Sequence, residues 1–425
     1  MTITDTNKIF PIVNDAACVF KWGWNTLALY EGVTASCHRT EHAPITIENF
    51  QNFHNSDMVI SSRKLMLKGQ WPPDHVGCTY CKKLEDHGEM SDRTFHNTIP
   101  GLTPVDFDDD QLHVTPRILE IYLNNTCDLR CVYCLPSISS RFNSELKQYG
   151  PIPTQSLTSQ LQYTPPHKDQ QKFLELLLVW MDENYSKLTR LSVLGGEPFF
   201  QSEFYTVLDF IKTQTNRDLT LSIHTNLNAK LDKLIEYMEL IKSLILNKQI
   251  KKAAIICSID CVGPVQEFIR DGLDFNHWQK NFEYLIQHKW VDITVQHTVT
   301  SLSIRSIAEL QNFINDCKKI NPNITQAYQL VDDHHGPLYT PEIFGKDFFF
   351  EALDAILKLM PLTSDREIRS YKRLESIVNL VKNSQINVEA LRDLKITLDS
   401  YDQRRNNNWK VLFPEINQFF IRNNI

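Results

Sequence analysis

From Arg117 to about residue 331 the chain alternates between two patterns of apolar and polar positions. Short apolar or period-two runs predict strands at 117–124, 188–194, 218–224, 252–260, 291–299 and 325–331. Between them, apolar residues recur at helical spacing near 168–185, 202–215, 229–247, 275–288 and 303–319. Strand and helix in strict turn predict βα units on a parallel sheet, with the chemistry at the carboxyl ends of the strands.

Strand parity sorts the side chains further, because successive strand residues face opposite ways. Ser222, His224 and Asn226 share one face, as do Ser258 and Asp260, and Asp292, Thr294, Gln296 and Thr298. The opposite faces carry Leu221 and Ile223, then Ile255, Cys257 and Ile259, then Ile293, Val295 and Val299. A helix-covered outer face needs the apolar set, so the polar set is expected inside. Unpaired buried polar groups cost about 1–3 kcal/mol each, so that interior is expected to be a wet ligand cavity.

The ends of the chain read differently. Near the N-terminus Thr26-Leu-Ala-Leu-Tyr30 predicts a strand pair and 45–68 a helical stretch, while 85–112 is polar, turn-rich and linker-like. Beyond about 340 the pattern predicts helices at 346–360, 365–383 and 388–404, with Pro361 as a stop signal. These helices are expected to cap the sheet or mediate self-association. The expected division is therefore 1–110, 111–340 and 341–425.

Length and charge narrow the classes. A chain of 425 residues exceeds one compact core, and 42% hydrophobic with 22% charged residues is ordinary for a globular protein. A net charge of −7, with Arg404-Arg405 only a pair, argues against nucleic acid as a partner. The N-terminus has no basic region followed by an apolar core, and the apolar run Leu176-Leu-Leu-Val-Trp-Met181 is too short to span a bilayer. A cytosolic protein, with no membrane partner, is the expectation.

In such a chain ten cysteines point to metal or catalytic use rather than disulfides. Cys127-Asp-Leu-Arg-Cys131-Val-Tyr-Cys134 follows the strand predicted at 117–124 and brings three thiolates to one small turn. That set suits a cubane iron–sulfur cluster and leaves one of four irons open. The plainer alternative is structural zinc, which wants four ligands, and no fourth Cys or His lies between Glu120 and Ser140. The other group is Cys18 and Cys37, flanking Gly32 in the pattern Cys-x13-Gly-x4-Cys, followed by Cys78-Thr-Tyr-Cys81. Four thiolates arriving as two pairs make a closed metal site, and a zinc ribbon fits the spacing almost as well. Cys257 and Cys317 are assigned to packing.

The Cys-x3-Cys-x2-Cys turn, with Tyr133 before its last thiol, resembles the signature of the radical S-adenosylmethionine (SAM) superfamily. The resemblance implies α/β architecture with a partial (β/α)6 TIM-like barrel, and a [4Fe–4S] cluster on Cys127, Cys131 and Cys134. There SAM chelates the open iron, is cleaved by one electron, and yields a 5′-deoxyadenosyl radical that abstracts a substrate hydrogen. Leu194-Gly-Gly-Glu-Pro198 ends a predicted strand, where two glycines allow positive φ or close backbone approach; by itself it is a strand-to-helix turn. By resemblance, Gly195, Gly196 and Glu197 would bind the SAM amino group, Asn226, Ser258 and Asp260 its ribose or carboxylate, and Arg270 its carboxylate. Taken singly, Asn226, Ser258, Asp260 and Arg270 read as surface or capping residues; taken together, their order and spacing reverse that. Ser139-Ser140-Arg141 also resembles twitch-type members.

The N-terminal cysteines resemble the opening half of the SPASM and twitch auxiliary-cluster domains, although those usually follow the barrel. A full SPASM pattern would have Cys at position 87, where this chain has His87. The resemblance therefore implies a short, twitch-like domain with one auxiliary [4Fe–4S] cluster on Cys18, Cys37, Cys78 and Cys81. It also implies a flavodoxin or ferredoxin reductant, and a substrate that is most often a ribosomal peptide and otherwise a small molecule such as a sugar or nucleotide. Cys261, just past Asp260, has two readings: a hydrogen donor to a substrate radical, as in peptide epimerases of the superfamily, or a buried packing residue. Asp332-Asp-His-His335 reads as a source of a general base or as a solvated loop. The rival of another class is a non-catalytic protein with zinc in both cysteine groups.

Overall fold

The computed structural model describes residues 14–73, 76–86, 88, 91–98, 112–155, 161–331 and 337–425. His87, the acidic run 332–335 with its two histidines, and the expected boundary at 110/111 lie outside them. In chain order the described strands are β1 (Trp24–Ala28), β2 (Val33–Ala35), β3 (Ala43–Pro44), β4 (Ile118–Tyr122), β5 (Arg130–Cys131), β6 (Arg190–Leu194), β7 (Thr220–Thr225), β8 (Lys252–Ser258), β9 (Arg270–Asp271), β10 (Asp292–Val299) and β11 (Thr325–Leu330). The fold is α/β, with a large and mostly parallel sheet and a helical C-terminal region. No helix among the described residues is long and apolar enough to cross a membrane.

The chain divides into two compact units. The first comprises residues up to Asn124, with Pro165–Ile223 and Met238–Ala253. Its strands run in the order β7, β6, β4, β1, β2, β3. β4 pairs in parallel with β6 (Ile118↔Arg190 to Tyr122↔Leu194) and, on its other side, with β1 (Trp24↔Ile118 to Ala28↔Tyr122). β1 and β2 form the expected antiparallel pair, with Thr26 opposite Ala35. Leu119, Ile121, Leu191, Val193, Leu221 and Ile223 are fully buried, as branched side chains on a covered sheet face should be.

The second unit comprises Asn125–Thr164, His224–Tyr237 and Ala254–Ile425. Here β10 lies between β8 and β11, parallel to both. Along β10 half-buried and buried residues alternate strictly, the half-buried ones being the polar set Asp292, Thr294, Gln296 and Thr298. The buried ones are Ile293, Val295 and Val299, and also His297, which stacks on Tyr328 with ring centroids 4.6 Å apart. The short ribbon β5–β9 sets Cys131 opposite Arg270.

The C-terminal helices are Phe350–Leu359, Asp365–Lys382, Val388–Arg405, Trp409–Leu412 and Pro414–Arg422. Val388–Arg405 is capped by Asn387, whose side chain accepts from Ala390 N, and it ends on Asn406 at φ 54°. Leu391, Leu394, Leu398 and Tyr401 form its apolar stripe, all at 0% exposure; burying each is worth about 1.5–3 kcal/mol. The stripe joins a core shared with Val132, Phe142 and Leu146 beside the cysteine turn.

Candidate metal and cofactor sites

The cysteine turn of the second unit is held open by its neighbours rather than by its own short sequence. Every carbonyl from Cys127 to Val132 accepts a hydrogen bond. Ser140 Oγ donates to Cys127 O (3.3 Å), Arg141 Nη1 to Asp128 O (2.7 Å) and Ser139 Oγ to Leu129 O (2.7 Å). Arg405 Nη1 donates to Arg130 O (2.9 Å), Cys134 N to Cys131 O (3.1 Å) and Tyr401 Oη to Val132 O (3.1 Å). Satisfied carbonyls keep the turn from collapsing into another hydrogen-bonded form.

The turn's three thiols are electrostatically coupled. Burial pushes the Cys127 thiol up, and Cys131 and Cys134 push it further. Burial takes Cys131 up to about 11 against the Arg270 guanidinium, and raises Cys134 with help from Cys131. Leu129 N donates to Cys127 Sγ at 3.5 Å, and Arg270 Nη1 and Asn226 Nδ2 each stand 4.0 Å from a sulfur, of Cys131 and Cys127 respectively. Sulfur clustered under donors and a cation is the setting of a thiolate-bound cluster, whose potential such contacts tune. The donor set fits a three-thiolate cluster. Among the described residues no three His, Cys, Asp or Glu side chains converge on one point to hold a single metal ion.

Around the turn, Asp260 is the hub. Its carboxylate, at 0% exposure, receives Arg270 Nε at 2.9 Å on Oδ2 and Nη2 at 3.2 Å on Oδ1. It also accepts Tyr133 Oη at 2.6 Å and Thr298 N at 2.9 Å. Burial pushes the Tyr133 phenol well above its ordinary range, so it stays protonated and donates. Asn226 Nδ2 and Asn228 Nδ2 each give 2.7 Å bonds to the two oxygens of Asp128. Ser258 is half-buried at the carboxyl end of β8. Cys261 is wholly buried in the core, its N–H and Sγ on Gln266 Oε1 at 2.9 and 3.4 Å, and burial raises its thiol well above the usual range. Those are the surroundings of a packing residue.

The predicted Gly-Gly-Glu turn belongs to the first unit. Gly195 and Gly196 have φ of 77° and 58°, and a Cβ on Gly195 would lie 2.5 Å from Tyr122 Cδ1. Gln201 Nε2 donates to Gly195 O at 2.7 Å, and Glu197, at 0% exposure, accepts from Phe199 N at 3.2 Å. Glycine is required here by both backbone and space.

Also in the first unit, Cys18, Cys37, Cys78 and Cys81 line one cavity. Cys18 and Cys37 are each 8% exposed and the other two half-buried. Gly77 (φ 85°) lets the chain turn tightly into Cys78, where any Cβ would collide with Arg39 O. Burial pushes Cys18 up to about 12, with Cys78 and Cys81 adding to it, and raises Cys37, with Cys18 adding. Arg39 N donates to Cys37 Sγ at 3.5 Å. Four cysteine sulfurs lining one cavity are a donor set that fits a multi-iron, all-sulfur cluster rather than a single ion.

The sequence singles out the seven cysteines, Tyr133, Asp260 and Arg270, but not Asp128, Glu145, Tyr401 or Arg405. Glu145 Oε1 and Oε2 receive Arg405 Nη2 at 3.2 Å and Nε at 2.9 Å, with both side chains at most 1% exposed. Arg130 joins them, reaching Glu145 at 3.2 Å and Asp271 at 2.6 Å.

No family model and no curated protein matches the chain. Solved structures do. One is native anSMEcpe with bound AdoMet and Kp18Cys peptide, 18% identical over 57% of each chain, with a TM-score of 0.35. Another is Streptococcus suis SuiB, 15% identical over 72% of this chain and 60% of that one, again with a TM-score of 0.35. The chain thus spans under two thirds of the length of either. At such scores the functional reading rests on the residues themselves.

Proposed function

We propose that this chain is a radical SAM enzyme, with one [4Fe–4S] cluster on Cys127, Cys131 and Cys134 and an auxiliary cluster on Cys18, Cys37, Cys78 and Cys81. The observation that carries the reading is the turn of three coupled thiols, braced at every carbonyl from Cys127 to Val132 and backed by the Tyr133–Asp260–Arg270 network. We further propose the division 1–110 (auxiliary centre), 111–340 (partial (β/α)6 barrel) and 341–425 (helical region), and a peptide as the substrate. When bound, cluster and SAM together would supply a hydrogen-abstracting radical.

The chain's own residues do the rest. Cys127, Cys131 and Cys134 would hold three irons and leave the fourth for a ligand. Asp260 fixes the Arg270 guanidinium beside Cys131, placing a permanent positive charge where a thiolate needs one. Asp128, held by Asn226 and Asn228, presents a carboxylate at the same turn. Gly195, Gly196 and Glu197 are proposed to receive the SAM amino group. The half-buried polar face of β10 offers hydrogen bonds to a substrate.

The test is anaerobic purification and reconstitution, followed by incubation with SAM and dithionite. About eight irons per chain, four for each cubane, and release of 5′-deoxyadenosine are expected. Zinc alone in both groups, or undiminished product from a chain with all three turn cysteines changed to alanine, would overturn the proposal.

A further inference from the structure

Three cationic side chains line the four-cysteine cavity, and two of them have carboxylate partners. Arg39 Nε meets Asp92 Oδ2 at 3.2 Å, and Arg93 Nε meets Glu85 Oε1 at 3.0 Å. Lys21 is the exception. It is 1% exposed, lines the same cavity, and among the described residues its ammonium has the Ser36 hydroxyl at 3.0 Å as its polar partner. Its place is fixed, because Lys21 N donates to Cys18 O at 3.0 Å and Lys21 O accepts from Arg63 Nε at 2.6 Å.

Taking an ammonium out of water without an anion costs several kcal/mol. A chain carries such a cost where an anion is to be delivered. A metal centre ligated by four thiolates is anionic, and one-electron reduction makes it more negative by one charge.

We propose that Lys21 is the charge-compensating residue of the four-cysteine centre, stabilising its reduced form and so raising its reduction potential. This rests on reading Cys18, Cys37, Cys78 and Cys81 as an iron–sulfur centre. Zinc has no second oxidation state to stabilise, so the proposal assigns the site to electron transfer. Lys21 itself binds no iron and acts only through its field.

The experiment uses the full chain with Cys127, Cys131 and Cys134 changed to alanine, so that only the four-cysteine centre is loaded. Lys21→Met, Lys21→Gln and Lys21→Arg are compared with the parent for iron and zinc content and for midpoint potential, by dithionite titration followed by electron paramagnetic resonance. A unit charge acting through a partly polar interior is worth about tenfold or more in the reduction equilibrium, and each tenfold is about 59 mV for one electron. Lower potentials for Met and Gln, with Arg keeping the parent value, support the proposal; unchanged potentials for Met and Gln overturn it. Stability without metal gives a second readout. There Lys21→Met is expected to be more stable than the parent, because the unpaired ammonium is gone, and with metal bound the order reverses. A Lys21→Met chain that is less stable without metal overturns the proposal. A parent chain that takes up zinc and no iron sinks the reading of the centre itself, a failure distinct from an unmoved potential.

Discussion

Replacing Arg405 by methionine removes one partner of a buried ion pair and one brace of the cysteine turn together. Arg405 and Glu145 have side-chain exposures of 0% and 1%. Breaking such a pair from one side costs about 3–5 kcal/mol, because the remaining charge stays buried. Glu145 would keep Arg130 at 3.2 Å, which sets the loss near the lower end, about 3 kcal/mol. Arg405 also gives up its bond to Arg130 O and its place 3.9 Å over the Tyr401 ring. If the turn opens locally at that cost, amide exchange across Leu129–Cys134 should accelerate by about a hundredfold, since each 1.36 kcal/mol is tenfold. Hydrogen exchange read by mass spectrometry on peptides covering the turn, in protein without metal, measures this directly. The double variant Arg405→Met with Glu145→Leu should recover much of the loss, because no charge is then stranded. Exchange within about threefold of the parent in Arg405→Met, or a double variant no better than the single, would refute the clamp.

Asp260→Ala strands the Arg270 guanidinium and should cost about 3–5 kcal/mol, seen as a lower denaturation midpoint and poorer iron retention after reconstitution. Tyr133→Phe removes the 2.6 Å bond to Asp260 and should cost about 1.5–3 kcal/mol. Gly195→Ala places a Cβ at φ 77° and 2.5 Å from the Tyr122 ring, so a lowered Tm, from at least about 1–2 kcal/mol of backbone strain, is expected by calorimetry. Acid should also weaken the fold. Burial takes His54 down to about 3 and His297 down to about 4, so the unfolded chain binds more protons below about pH 6.5. Stability from each is complete above that pH and falls by about 1.4 kcal/mol per unit as pH drops toward the folded value. Denaturant midpoints between about pH 7 and pH 5 should show the slope, and His54→Leu should flatten its share.

The six strands β4, β6, β7, β8, β10 and β11 are legible in the sequence because burial imposes a period on side chains. On β10 the polar and apolar sets separate as parity predicts, save for His297, whose ring packs flat on Tyr328 as an apolar residue would. Pairings across distance leave no such mark. The parallel register of β1 with β4 joins segments far apart in number, from Trp24 to Ile118, and nothing local announces it. Arg270 is legible as a functional cation, whereas its bidentate partner Asp260 reads in the sequence as a SAM contact. The clamp does leave a trace. Glu145 follows Phe142 by three residues on the buried side of its helix, and Arg405 continues the stripe Leu394, Leu398, Tyr401. A charge on an apolar stripe calls for a buried opposite charge, and that signal lies in the order of residues alone.

The braced carbonyls around Cys127–Val132 bear on how the proposed cluster would meet oxygen. Most of the braces come from side chains outside the turn, so loss of the proposed cluster would leave its seat standing. If the turn holds that cluster, an emptied chain should accept fresh iron and sulfide without refolding, and oxidative damage would be a matter of repair rather than replacement.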